Sequence, residues 1–272
     1  MRIVDNDPWL APYSFAIEGR YEYAKSKEES LTQGNTLSNF ALGYLYYGLH
    51  KTNKDWVFRE WAPNATELYL IGDFNNWQIN EQFKATKINS NGDWELHLPL
   101  KAMSHGQHYK MFVKWDGGEG ERIPAWCRRV VQDKNTAIFS AQVWDPTPYI
   151  FKCNDFQIKK EKPLLIYECH IGMAQEKEDV GSYIEFKENI LPRIKKAGYN
   201  AIQIMAIMEH PYYGSFGYQV SNFFAPSSRY GSNKELKELI NTAHKMGITV
   251  LLDLVHSHAV KNTGDGLNLF DG

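Results

Sequence analysis

Ile248-Thr249-Val250-Leu251-Leu252-Asp253-Leu254-Val255-His256-Ser257-His258 sets a run of apolar and β-branched residues directly before an acid and two imidazoles. A short apolar run of this kind reads as a strand covered on both faces, as in parallel sheets. Upstream, Asn233 to Met246 carries helical spacing and stops at Gly247, and Ala201 to Ile207 is a second apolar run. Before these come a helical stretch from Tyr183 to Lys196, ended by Gly198, and a further apolar run from Leu164 to Tyr167. The order β-α-β-α-β predicts a parallel sheet with right-handed crossovers. An open doubly wound sheet and a barrel begin alike, so periodicity leaves both open. In a barrel, the residues after each strand build the active face, which singles out Asp253, His256 and His258. A His-x-His pair is also a metal-ligand pattern, but no further ligand is well placed in the sequence, so no metal or other cofactor is expected.

Working outward, the character changes twice. From Trp56 to Trp144 short alternating runs (Trp56 to Trp61, Leu68 to Ile71, Trp94 to Leu98, Tyr109 to Lys114) are separated by turn-rich stretches at Asn75-Asn76, Asn89 to Asp93 and Asp116 to Gly120. That rhythm predicts a β-sandwich. The stretch from Asp145 to Pro163 lacks periodicity and reads as a connector. At the N-terminus, Pro12 to Ser30 and Thr36 to Tyr47 suggest two short helices. The expected architecture is thus multi-domain α and β. A helical N-terminal segment (1–50) precedes an immunoglobulin-like sandwich (51–145), and the first three β/α units of a barrel follow (146–272).

Composition narrows the partners. The 272 residues carry a formal charge of −2 with acids and bases interspersed, so no basic stripe suggests nucleic acid. Aromatic residues make up 14%, including 8 Trp and 16 Tyr, which suits stacking on sugar rings although core packing accounts for most of them. Cys127, Cys153 and Cys169 are an odd number without paired spacing, and the N-terminus has no signal-type apolar run. No stretch approaches the ~20 apolar residues of a membrane span. A reducing, cytoplasmic setting without membrane attachment is therefore expected.

Asp253 to His258 resembles the first diagnostic region of the α-amylase superfamily, glycoside hydrolase family 13, at the end of the third barrel strand. Leu254 stands for the family's Val and Ser257 for its Asn. The His-Ser-His form is similar to the glycogen (1,4-α-glucan) branching subgroup. So are Met205 to Tyr213, Ser215 to Val220 and Phe223 to Gly231, in order, spacing and identity. The resemblance selects the (β/α)8 barrel. It implies that Tyr218 stacks on the sugar at the cleaved bond, that His258 donates to that sugar's 6-hydroxyl, and that Asp253 organises the site. Trp61 to Ala65, Gly72 to Trp77 and His108 to Val113 resemble carbohydrate-binding module 48, in whose relatives the residues at Trp77 and Lys110 touch glucan. A purely turn-closing role for Trp77 stays open. Asp7 to Tyr13 resembles the N-terminal extension of eukaryotic-type members.

The resemblance implies an α-glucan partner (glycogen, amylose, maltooligosaccharides) and transfer of a cleaved α-1,4 chain to a 6-hydroxyl by retaining double displacement. The family's Asp nucleophile, Glu acid/base and assisting Asp follow the fourth, fifth and seventh strands, beyond Gly272. No catalytic residue is therefore expected here, and Glu168 and Glu209 are assigned to site architecture. The 272-residue chain is expected to be inactive by itself and to self-associate through open barrel edges. A non-catalytic glycogen-binding protein and a debranching or amylolytic relative are the alternatives.

Overall fold

The structure, a computed structural model, describes residues 2–158 and 163–272. Residues 159–162 of the expected connector lie outside the described residues. The chain divides into two units, Met1–Tyr46 and Tyr47–Gly272.

In the first unit, α1 (Arg2–Asn6) leads through a 3-10 turn, Pro8–Tyr13, into α2 (Ser14–Thr32). The Asp7 carboxylate accepts from Trp9 N–H (3.1 Å), satisfying a helix-start donor. Helix α2 is a single rod of 19 residues, displaced by two from the expected stretch of Pro12 to Ser30, and it ends at Gln33 in the left-handed region. The second expected helix instead splits into α3 (Leu37–Phe40), capped by Thr36, and α4 (Gly43–Tyr46). Asn39 and Gly43 are weak helix formers, which favours the break. Among the described residues no helix is long and apolar enough to cross a membrane.

The second unit opens with two facing antiparallel sheets. Strands β1 (Gly48–Lys51), β2 (Asp55–Trp61), β3 (Ala65–Gly72), β4 (Thr86–Lys87) and β5 (Asp93–Pro99) are followed by β6 (His108–Trp115), β7 (Gly118–Arg122), β8 (Val130–Gln132) and β9 (Phe139–Gln142). One sheet has the order β1-β2-β5-β4; the other is β3-β6-β9-β8, with β7 also on β6. Period-2 alternation turns Phe58, Leu68, Leu70, Met111 and Val113 into the space between the sheets, where none is exposed. Glu60 points the same way on β2 and is buried too.

The parallel part begins with β10 (Ile166–Cys169). It starts two residues later than the apolar run does, because Asn200 intercepts the preceding backbone: its amide oxygen takes Leu165 N–H (2.7 Å) and its NH2 bonds Pro163 O (2.9 Å). Next, α5 (Tyr183–Glu185) and α6 (Leu191–Lys196) are joined by a π turn, Phe186–Ile190. Pro192 has no N–H to give, and Leu191 N–H reaches back five residues to Phe186 O, widening the helix there. Then β11 (Ala201–Ile204) lies between β10 and a later strand, and β12 (Met208–Glu209) pairs β13 (Asn222–Pro226). Helix α7 (Asn233–Lys245) starts with a Ser232/Glu235 capping box and leads to β14 (Thr249–Leu252). The sheet order is β10-β11-β14, all parallel, with Ile166, Ala201 and Thr249 in register.

Cross-contacts join sandwich and parallel sheet into one unit. Arg129 Nη1 donates to Gly231 O (2.7 Å), ahead of α7, and Arg122 donates twice to Leu269 O (3.2 and 2.9 Å). Trp126 stacks on Phe224 at 4.4 Å between ring centres.

Candidate active-site edge

The end of β14 and the residues after a 3-10 turn, Tyr213–Ser215, meet at one edge of the parallel sheet. Gly217 makes the meeting possible: its φ is 89°, and a Cβ there would overlap the Ala206 carbonyl oxygen. The close approach turns Tyr218 over the strand end, where its hydroxyl donates to Asp253 Oδ2 at 2.6 Å. That bond, with burial and further negative charge, pushes the Tyr218 hydroxyl up to about 12. Tyr218 is thus a neutral donor at ordinary pH, with its ring orientation fixed.

The segment after Asp253 then runs beside Val220. Val220 N–H bonds His258 O (3.2 Å) and Val260 N–H returns to Val220 O (2.9 Å), an isolated parallel bridge. His258 consequently stands at the same edge as Tyr218, exposed, with Ser257 Oγ 3.0 Å from its Nδ1. Its Nε2 is directed away from that local bond and can serve a ligand. His256 is exposed. No cluster of three or more His, Cys, Asp or Glu suited to a metal occurs among the described residues.

Beneath the edge lies a polar layer that periodicity could not reveal. Glu209 is buried and accepts from His210 N–H, Ser227 Oγ (3.0 Å) and Ser228 N–H (2.8 Å); burial raises its pKa. Its lone pairs are committed to holding the turn at 227–228, an architectural role. Beside it, His170, Tyr230 and His210 form a chain. Met173 N–H donates to His170 Nδ1, so Nε2 carries the proton and donates to Tyr230 Oη (3.1 Å). Tyr230 Oη faces His210 Nε2 (3.5 Å), while His210 Nδ1 donates to Met208 O (2.9 Å). Burial lowers both imidazoles, His210 to about 4, so both stay neutral. Glu168, exposed, accepts from Gln203 (3.4 Å).

Beside His258 a groove of ≈540 Å³ is lined by Tyr212, Gln219, Lys261 and Asn262. A second concavity of ≈400 Å³ lies where the sandwich meets the 267–270 segment, walled by Tyr47, Trp61, Trp126 and Phe270. Glu60 is its polar element. Burial pushes the Glu60 carboxyl up to about 8, against the opposing pull of the Trp61 and Ala125 N–H donors.

The two sandwich residues lie at one end of the β3/β6 pair: Lys110 is opposite Ile71, and Trp77 N–H bonds Gly72 O. Trp77 is half-buried at φ 59°, its indole N–H donating to Asp73 (3.0 Å). Lys110 is only 7% exposed and its ammonium is paired with Glu121 at 2.9 Å. They share a region of the sandwich, away from the cluster of Tyr218, Asp253 and His258 in the chain's other sheet system.

Comparison with known proteins places these features in context. The carbohydrate-binding module 48 (isoamylase N-terminal domain) family matches residues 46–127, and the alpha amylase catalytic domain family matches residues 188–267. The 1,4-alpha-glucan-branching enzyme of Emericella nidulans is 49% identical over 99% of this chain and 40% of its own length. That of Dictyostelium discoideum is 44% identical over 100% of this chain and 41% of its own, and the chloroplastic/amyloplastic enzyme 2-2 of Arabidopsis thaliana is 45% identical over 100% and 34%. The chain thus spans about 40% of the length of the first two relatives. A putative alpha amylase from Salmonella typhimurium superposes with a TM-score of 0.63 at 22% identity, covering 76% of this chain and 32% of that one. Pullulanase from Bacillus acidopullulyticus gives 0.60 at 20% identity, covering 78% and 30%. These two likenesses bear on the fold alone, and with the two family matches they support a module 48 sandwich followed by the first part of an α-amylase-type barrel.

Proposed function

Because the chain is related along its whole length to the 1,4-alpha-glucan-branching enzymes, we propose that it forms the glucan-holding N-terminal part of such an enzyme. The parent protein cleaves an α-1,4 glucosidic bond, keeps the released chain on a carboxylate, and passes it to a 6-hydroxyl to make an α-1,6 branch. Tyr218 offers a ring face to the apolar side of the sugar at the cleaved bond, and His258 donates to its 6-hydroxyl. Asp253 is the positioning group that fixes the Tyr218 ring through its hydroxyl.

Retaining transfer needs two carboxyl groups about 5 to 5.5 Å apart across the sugar. At this edge Asp253 is engaged with Tyr218 and Glu209 is buried among three donors. We therefore assign the nucleophile and the acid/base to the portion of the enzyme's length that these 272 residues do not span. The chain by itself is an inactive holder, and the outer edges of β10 and β14, which have no neighbouring strand among the described residues, make self-association its route to burying apolar surface. The sandwich, which begins with β1 (Gly48–Lys51) and not at residue 51, lies ahead of the barrel part (146–272) and adds glucan contact at the Trp77 face; Lys110 takes part only if Glu121 releases it. Free thiols at Cys127, Cys153 and Cys169 support a reducing compartment, the cytoplasm, where glycogen synthesis would employ the enzyme.

The observation that carries this reading is the Tyr218–Asp253 hydrogen bond at the edge where His258 also stands, made possible by the positive φ of Gly217. Product analysis of the full-length enzyme on amylose tests it. Falling iodine colour with new α-1,6 linkages supports branching, and rising reducing ends with no new branches refute it in favour of hydrolysis.

A further inference from the structure

Tyr212 is 64% exposed, yet it is not a loose surface ring. Its ring lies against Gly214, where a Cβ would come within 2.6 Å of the ring tip, so the absent side chain gives the ring its resting place. Tyr212 O accepts both Ser215 Oγ (2.7 Å) and Ser215 N–H (3.1 Å). The two preceding carbonyls, His210 O and Pro211 O, take the Arg229 guanidinium at 3.4 and 3.2 Å. A large aromatic face is therefore presented to solvent on a turn whose backbone is braced, so a ligand that stacks on it has little backbone left to order.

The ring forms a wall of the ≈540 Å³ groove, a size typical of small-molecule sites (~300–1,000 Å³). Gln219, Lys261 and Asn262, which carry amide and ammonium donors, line the same groove. His258 lines it too, as does Gln219, the residue after Tyr218, so the groove adjoins the sugar position described above. An aromatic face flanked by amide and ammonium donors is suited to a pyranose, whose ring carbons are apolar and whose rim is hydroxylated.

We propose that Tyr212 is the stacking platform for a second glucosyl unit of the bound glucan, next to the unit at Tyr218, with Gln219, Lys261 and Asn262 reading its hydroxyls. The inference rests on the assignment of Tyr218 and His258 to a sugar site. It makes the holder select for chain: a lone glucose fills only the Tyr218 position, whereas maltose and maltotriose reach Tyr212.

The test is titration of the 272-residue chain with glucose, maltose and maltotriose, followed at the His258 imidazole resonances, which separates this groove from glucan held by the sandwich. Affinity is expected to rise from glucose to maltotriose. Tyr212→Ala removes that gain, about tenfold for maltotriose, and leaves glucose unchanged; Tyr212→Phe retains it. Tyr218→Ala weakens all three. If Tyr212→Ala binds maltotriose as wild type does while Tyr218→Ala does not, the second position is refuted and the first stands. If Tyr218→Ala changes nothing, or His258 reports no binding in wild type, the underlying sugar site falls as well.

Discussion

The sandwich and the parallel sheet meet the same requirement, burial of apolar side chains, with opposite degrees of completion. In the sandwich two sheets face each other, and Phe58, Leu68, Met111 and Val113 are fully enclosed in a core built almost wholly by the module, with Ala225 and Phe270 of the following part packed at its border. In the parallel sheet α5–α6 and α7 cover one face, where Ile202, Ile204 and Leu239 are enclosed, but the strands at either side have one neighbour each among the described residues. Leu165 and Leu254 remain 54% and 56% exposed. Antiparallel strands joined by short turns can close a core locally; a barrel closes only when its eighth strand meets its first. Local sequence therefore suffices to complete one region and only to begin the other.

Hydrogen exchange gives the largest contrast. Amides of β2, β5 and β6 are expected to exchange roughly a thousandfold more slowly than those on the free edges of β10 and β14, about 4 kcal/mol in opening free energy. Light scattering should show association that shields those edges as concentration rises. Uniformly slow exchange in a strict monomer would break the comparison, because the unfinished sheet would then be self-sufficient.

A substitution at Gly217 sharpens it within the parallel part. Gly217→Ala forces a side chain into a left-handed position against the Ala206 carbonyl and is expected to cost about 3 to 5 kcal/mol locally. Tyr218 should leave Asp253 and glucan binding at His258 should vanish, while the near-UV dichroism of the sandwich tryptophans persists. Loss of both signals together would mean that the two regions unfold as one.

Glu60 tests the sandwich in turn. Its carboxyl has a pKa near 4.5 when unfolded and about 8 when folded, so between those values the folded state keeps a proton that the unfolded state releases. The stabilisation is fully present below 4.5 and is lost as pH rises to about 8, by roughly 1.4 kcal/mol per pH unit. Urea unfolding at pH 6, 7 and 8 should show this decline in wild type and a shallower one in Glu60→Gln, where the raised Glu209 carboxyl still contributes. An equally steep decline in the variant would assign the effect to another group.

The smallest effect belongs to the sandwich surface. Trp77→Ala is expected to weaken maltoheptaose binding by about 1 kcal/mol without altering the fold. Unchanged affinity leaves Trp77 with its Asp73 bond as a turn-closing residue, and confines glucan contact in this chain to the barrel edge.

How much could be read in advance follows the same division. Strands β2, β5 and β6 and helix α7 are legible within about two residues, because alternation, helical spacing and the stops at Gly198 and Gly247 are local signals. The module 48 and α-amylase regions are legible from motif blocks for the same reason. The Glu60 burial is not, since its donor Ala125 is 65 residues away, nor is the Lys110–Glu121 pair, which depends on β7 folding back on β6. The His170–Tyr230–His210 chain spans 60 residues and gathers three side chains that no spacing relates. Tyr212 was hidden for another reason: within the motif block it reads as one of two adjacent tyrosines, and only the Gly214 backbone shows which ring is propped outward.

The guanidinium contacts of Arg122 and Arg129 with Leu269 O and Gly231 O have a hydrodynamic consequence. Two modules on a flexible tether tumble independently, each with its own correlation time. Here the sandwich is bolted to the segment ahead of α7 and to the residues after β14, so both regions share one rotational diffusion tensor. ¹⁵N relaxation of β6 and β11 amides should then fit a single correlation time, and a glucan caught by the sandwich would drag the barrel edge with it at every turn of the molecule.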